Sequence, residues 1–284
     1  MWKLYGSKEK RGSLPLRERV LYVALVLVGC FFIAAASLEL IAEGREYTDA
    51  GSEYEQLREQ YPVMSAYWLA ARQQTAPQGT GNSATAQAPA SAPDPELTIN
   101  TEDGPPPIAD PPQDPLCGLA EENPDFVGWI SIEGVIDYPV VRGRDNNRYL
   151  GVTFSGQRNG SGAIFMDYRN TGGFSEPVCL IYGHNMKNGS MFAPLNRYAD
   201  PAYIAGHPDI MVVTSGGELL EYRIFAAKRV LESDEIYDLG FADAESAAKA
   251  FGGAPDGAAS FLLLSTCTPS AEKNDRMLVF AALA

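Results

Sequence analysis

One cysteine, one histidine and one arginine stand where they could carry out acyl transfer. Cys267 closes the apolar run Phe261-Leu-Leu-Leu-Ser-Thr-Cys-Thr-Pro. A buried strand there delivers the thiol to its C-terminal end, and Pro269 forces the chain out of the ladder directly afterwards. A thiol attacks only as the thiolate, so it needs a base or a positive neighbour. His184, in Leu180-Ile-Tyr-Gly-His-Asn-Met, follows a second apolar strand; Gly183 reads as the point where the backbone turns and leaves the imidazole at a rim. Arg276 lies nine residues beyond Cys267, just before Met277–Leu283. If the last two strands pair as a hairpin, Cys267 and Arg276 stand at facing strand ends. A guanidinium, always charged and with fixed donors, could then approach the thiolate or an oxyanion on an attacked carbonyl. Each residue also has a plainer reading: a hydrogen-bonded surface histidine, or an arginine in a surface salt bridge with Asp275 or Glu272. Together the three specify a site.

The remaining cysteines and histidine read as structural. Cys179 lies inside the apolar run Val178–Tyr182, Cys30 in a long apolar segment and Cys117 in a short first helix, all settings of inert burial. His207 sits beside Pro208 in a loop. Four cysteines in 284 residues cannot form a disulfide scaffold, and no CxxC or His/Cys cluster points to zinc. The net charge of −14 argues against a nucleic-acid binder, which needs a basic face for phosphates.

Charge and hydropathy divide the chain. Residues 1–19 carry six basic and two acidic side chains, a net of +4, leaving −18 on the rest. Val20 to Leu38 is a 19-residue run without a charge; as a helix at ~1.5 Å per residue it spans about 28 Å, close to the hydrocarbon thickness of a bilayer. The basic flank predicts a cytoplasmic tail (1–19), a membrane anchor (20–41) and an extracellular remainder. Ala34-Ala35-Ala36-Ser37 also resembles a signal-peptide cleavage site, and a buried core helix is a third reading. Residues 42–72 read as a helical stalk, with Tyr54, Leu57 and Tyr61 at i, i+3 and i+7 before Pro62 interrupts. Residues 73–113 form a Pro/Ala-rich spacer that cannot offset its ordering entropy by burial.

From residue 114 to 284 the sequence becomes globular. Asp114-Pro115 reads as an N-cap and first turn, and Asn123-Pro124 as the end of that helix. Eight strand-like runs follow: Phe126–Ile132, Ile136–Val141, Gly162–Tyr168, Val178–Tyr182, Ile210–Thr214, Leu219–Val230, Phe261–Thr266 and Met277–Leu283. One helix, Ala242–Phe251, interrupts the sixth and seventh. The fold class is all-β with minor helices, a closed barrel or a sandwich.

At this level the sequence resembles a class B sortase. The resemblance rests on Leu264-Ser-Thr-Cys-Thr with Arg276 beyond it, and on Tyr182-Gly-His-Asn-Met with Asn188-Gly-Ser-Met-Phe after it. Upstream it rests on Asn123-Pro-Asp-Phe-Val-Gly-Trp-Ile, Ile136-Asp-Tyr-Pro-Val-Val, Asn147-Arg-Tyr-Leu and Gly162-Ala-Ile-Phe-Met-Asp-Tyr-Arg-Asn. It implies an eight-stranded sortase-type barrel behind an N-terminal transmembrane helix on the outer face of a Gram-positive membrane. It also implies a cysteine transpeptidase with His184, Cys267 and Arg276 at the catalytic positions and no cofactor. Its partners would be secreted proteins bearing a C-terminal sorting signal, cut typically after Thr, and an amine of a peptidoglycan precursor or cross-bridge. Ser265 and Thr266 are the nearest candidates for contacting the bound peptide, on position alone.

Two departures stand out. Many class B members have an acidic residue just after the cysteine, whereas Thr268-Pro269 follow here, so no Asp is assigned as a fourth catalytic group. The connection from Leu231 to Ser260, where the family carries a helix shaping the substrate groove, is short and rich in Gly and Ala. Two alternatives remain at this stage: a sortase that polymerises pilin through a subunit lysine, and a non-catalytic extracellular binding barrel. The second would be expected to have lost Cys267, His184 or Arg276, and all three are present.

Overall fold

The computed structural model describes residues 16–62, 64–65, 116–269 and 274–284. The basic tail up to residue 15, the end of the expected stalk, the spacer and the expected Asp114 cap lie outside the described residues. The chain divides into two units, residues 1–49 and 50–284. Helix α1 (Leu16–Gln60) contributes to both. In the first unit it carries the uncharged run, with Leu25, Phe31, Phe32 and Ile33 exposed. Among the described residues no helix is long and apolar enough to cross a membrane; the side chains of the apolar run are described only in part.

The second unit is a closed barrel of eight strands: β1 (Phe126–Ile132), β2 (Ile136–Val141), β3 (Ile164–Met166), β4 (Val178–Tyr182), β5 (Asp209–Thr214), β6 (Leu219–Leu231), β7 (Phe261–Cys267) and β8 (Asp275–Leu283). Their order around the barrel is β1-β2-β3-β4-β7-β8-β6-β5. The β2/β3 and β4/β7 pairs are parallel and the other pairings antiparallel. All eight expected strands are present, with β3 shorter than its apolar run implies. Around the barrel lie α2 (Cys117–Glu122), α3 (Pro201–Gly206) and α4 (Ala244–Phe251). α2 begins after Leu116, and Asn123 ends it.

Alternation along the strands builds two cores. Leu262 and Leu264 of β7, with Val279 and Ala281 of β8, face the barrel interior alongside Trp129, Ile181 and Val212. Phe261 and Leu263, with Leu278, Phe280 and Ala282, face outward into a second core roofed by Ala247 and Phe251 of α4. α4 forms because Asp243 and Ser246 close a capping box and the helix has a strong apolar stripe. Phe251 meets Phe241, Phe261 and Phe280 in edge-on ring contacts. The short connection after β6 thus covers the outer face of β4, β7 and β8. The last turns of α1 also belong to this unit: Ala50, Tyr54 and Leu57 are buried, and Tyr54 and Leu57 join the barrel core.

Candidate active site

β7 and β8 pair as a hairpin, and its register sets Cys267 directly opposite Arg276. Cys267 is exposed at its strand end, on the outward parity of Phe261 and Leu263. The parallel pairing of β4 with β7 then places Tyr182 beside Ser265, so His184, two residues further, reaches the same end of the sheet. Cys267, His184 and Arg276 line one cavity of about 420 Å³, together with Leu150, Tyr182, Glu232, Tyr237 and Ser265.

Each side chain is held by identifiable partners. His184 Nε2 lies 2.8 Å from the carbonyl oxygen of Leu150. A carbonyl only accepts, so Nε2 carries the proton and Nδ1 is the nitrogen left to exchange one. Arg276 donates to the Glu232 carboxylate and to the Asp275 carbonyl at 3.2 Å. The carbonyl of Cys267 accepts a 3.2 Å hydrogen bond from Asn196 Nδ2, which anchors the backbone beneath the thiol.

Gly183 plays a different part from the one its sequence setting indicates. Its φ is not in the left-handed region; what excludes a side chain is space. A Cβ would lie 2.5 Å from Ile164 Cδ1 and 2.6 Å from Phe192 Cγ, while the Gly183 amide donates to Ser265 O at 3.1 Å. The residue before His184 is fixed by close packing of β4, β3 and the following loop.

Ser265 and Thr266 both line the cavity but differ in setting. Ser265 Oγ is 2.9 Å from Tyr237 OH. Thr266 shares the inward parity of Leu262 and Leu264, and its hydroxyl is buried without a hydrogen-bond partner among the described residues. Elsewhere, Cys179 is buried, with its thiol pushed up to about 12, chiefly by burial, and donates to Gly173 O at 3.0 Å. His207 Nδ1 lies 3.2 Å from the Glu133 carbonyl, and its ring packs on Tyr203. Among the described residues no cluster of three or more His, Cys, Asp or Glu side chains is arranged to hold a metal ion.

One wall of the cavity rests on residues that sequence reasoning missed. Asp167, fully buried, accepts three hydrogen bonds from Arg169 (two from the guanidinium and one from the backbone N–H), one from Asn146 Nδ2 at 2.9 Å and one from Tyr182 OH at 3.0 Å. Burial pushes its carboxyl up, but these donors outweigh burial and hold it below the usual carboxylate range. Arg169 also donates to the carbonyls of Tyr237 and Asp238 at 2.7 and 3.2 Å, fastening the Glu235–Asp238 turn to the barrel rim. Tyr237 stacks on Tyr182. The available signal was the Asp-Tyr-Arg triplet itself, whose partners lie far away in sequence.

The model of the sortase domain matches residues 130–284. The chain belongs to the sortase family. Sortase B of Listeria monocytogenes is 43% identical over 115 residues, 40% of this chain and 46% of that protein. The chain spans about half the length of the curated relatives it matches. Among solved structures, Clostridium perfringens sortase B superposes with a TM-score of 0.53 at 27% identity, over 59% of this chain and 98% of that one. A class B sortase of Streptococcus pyogenes involved in pilus biogenesis does so with a TM-score of 0.53 at 25% identity, over 59% and 96%. The sortase relatives are thus of class B, and sortases are cysteine transpeptidases. The eight-stranded barrel is the expected sortase fold.

Proposed function

We propose that this sortase is a membrane-anchored transpeptidase that joins sorting-signal proteins to a cell-wall amine, with Cys267, His184 and Arg276 as its catalytic residues. The observation that carries this reading is the hairpin register that sets an exposed thiol opposite a guanidinium, in one cavity with an imidazole. His184 takes the proton of the Cys267 thiol at Nδ1, the thiolate attacks the scissile carbonyl carbon, and the Arg276 guanidinium stabilises the oxyanion that forms. The C–N bond then breaks, and the leaving amine takes a proton from the His184 imidazolium. A thioester links the substrate acyl group to Cys267. In the second half, an incoming amine attacks the thioester, loses a proton to His184 and expels the thiolate, which takes that proton back from Nδ1 to restore the starting state. Ser265 and Thr266 border the path of the bound peptide.

The anchor belongs to this proposal. A 19-residue uncharged run with a net +4 before it and exposed apolar side chains along its helix matches a bilayer better than water. In this reading the N-terminus is inside and the barrel outside. Alkaline extraction of cell membranes and protease protection test it: release of the barrel into the soluble fraction would mean that the run is cleaved.

For the chemistry, the full chain in detergent is incubated with sorting-signal peptides and amine acceptors, and product masses are read. Amide-linked product is expected, and none from Cys267→Ala; cleavage that survives Cys267→Ala would overturn the mechanism. The likeness to a sortase involved in pilus biogenesis supports one second reading, a subunit lysine as the amine. Preference for a lysine side chain over a wall-peptide amine in the same assay would select it.

A further inference from the structure

His184 is supported from two sides, and both supports lead to the same buried tyrosine. The first acts on the imidazole. Leu150, whose carbonyl meets Nε2, ends a 3-10 turn in the long loop between β2 and β3. That loop folds back on itself: Ala163 N–H donates to Tyr149 O at 2.9 Å and Asn159 N–H to Gly151 O at 3.1 Å. Gly162, with φ at 58°, is packed so closely that a Cβ would lie 2.3 Å from Tyr149 O. The hydroxyl of Tyr54 ties the fold together, donating to Gly162 O at 2.7 Å and accepting from Phe154 N–H at 3.3 Å.

The second support acts on the backbone. His184 O accepts from Phe192 N–H at 2.9 Å, and Asn185 pairs with Met191. Met191 sits at a φ of 56°, a conformation that a long side chain adopts only when its surroundings impose it. Its amide donates to Tyr138 OH at 3.0 Å. The ring of Tyr138 packs edge-on against Tyr54, with centroids 5.3 Å apart, and Arg58 lies over its face while donating to Asp137 O at 3.2 Å.

We propose that Tyr54 is a positioning residue for His184: by fixing the loop that carries Leu150 and the ring of Tyr138, the Ala50–Gln60 segment of α1 sets the orientation and tautomer of the imidazole. The helix is thereby part of the working site as well as a tether. The inference rests on the acid–base role of His184 proposed above.

The test uses the full chain in detergent micelles. Tyr54→Phe keeps the ring against Tyr138 and deletes only the hydroxyl; Tyr138→Phe deletes the support under Met191. The chain has two histidines, and carbonyls face Nε2 of His184 but Nδ1 of His207, so imidazole nitrogen spectra separate them by tautomer. Tyr54→Phe is expected to convert His184 from the Nε2–H form to a mixture. It should also lower kcat about tenfold with KM little changed, as loss of an orienting partner does, while thermal unfolding stays cooperative. An unaltered His184 signal and kcat would overturn the proposal. Should Tyr54→Phe fail to fold, Tyr138→Phe decides by the same two readouts. Turnover that survives His184→Ala would instead sink the acid–base reading, and the tautomer signal of Tyr54→Phe would still decide whether Tyr54 positions the ring.

Discussion

Arg276 divides its guanidinium between Glu232 and the strand end it shares with Cys267. Only a planar fork can hold a carboxylate with one edge and still present donors elsewhere. Arg276→Lys keeps the charge and is expected to lower kcat/KM about a hundredfold, the range seen when an oxyanion donor is removed, with far-UV spectrum and melting temperature retained. Unchanged turnover would reduce Arg276 to a structural partner of Glu232. Thr266 presents the opposite case. Its buried hydroxyl has no partner among the described residues, and leaving a hydroxyl unsatisfied costs about 1–3 kcal/mol. Thr266→Val should therefore be neutral or stabilising in urea titration, with turnover preserved. A clear loss of activity would show that this hydroxyl meets the peptide.

Among the elements, the Glu235–Asp238 turn depends most on one distant contact, through Arg169. Arg169→Ala is expected to raise KM for the peptide several-fold with a smaller effect on kcat, because a wall of the cavity loosens while Cys267 keeps its place. The same clamp has a pH signature. Asp167 is held below its ordinary range by Arg169, Asn146 and Tyr182. Its stabilisation is therefore present above the unfolded value of about 3.9 and is lost as pH falls through the folded value. Melting temperature measured down through this window should drop more steeply in the wild type than in Asp167→Asn; parallel curves would show that the carboxylate does not contribute. Local features were legible in the sequence. Cys267 and Arg276 face each other because β7 and β8 are consecutive and antiparallel, and the strands follow their apolar runs. The need for space at Gly183 was not legible, because a glycine required for close packing looks the same in sequence as one that only lets the chain turn. Asp167, Arg169 and Tyr237 were missed because their contacts join segments that only the closed barrel brings together, and no periodicity encodes such a meeting.

For the whole molecule, the boundary of the working unit shifts. A start at residue 114 accounts for every strand, yet it omits Ala50, Tyr54 and Leu57, which are buried in the same unit. Burying one large apolar side chain contributes about 1.5–3 kcal/mol. Residues 114–284 alone should therefore unfold at several kcal/mol lower stability than the full chain in denaturant titration; equal stability would make the helix a passive attachment. The parallel seam between β4 and β7 has a consequence in time. Tyr182 and Ser265 meet across a long excursion of chain that includes β5, β6 and α4, and contacts so far apart in sequence form slowly compared with hairpins. Until that seam closes, the thiol at the end of β7 has no imidazole beside it. On the function proposed above, turnover during refolding is expected to lag behind formation of the β7/β8 hairpin and to appear only once the β4/β7 seam has closed.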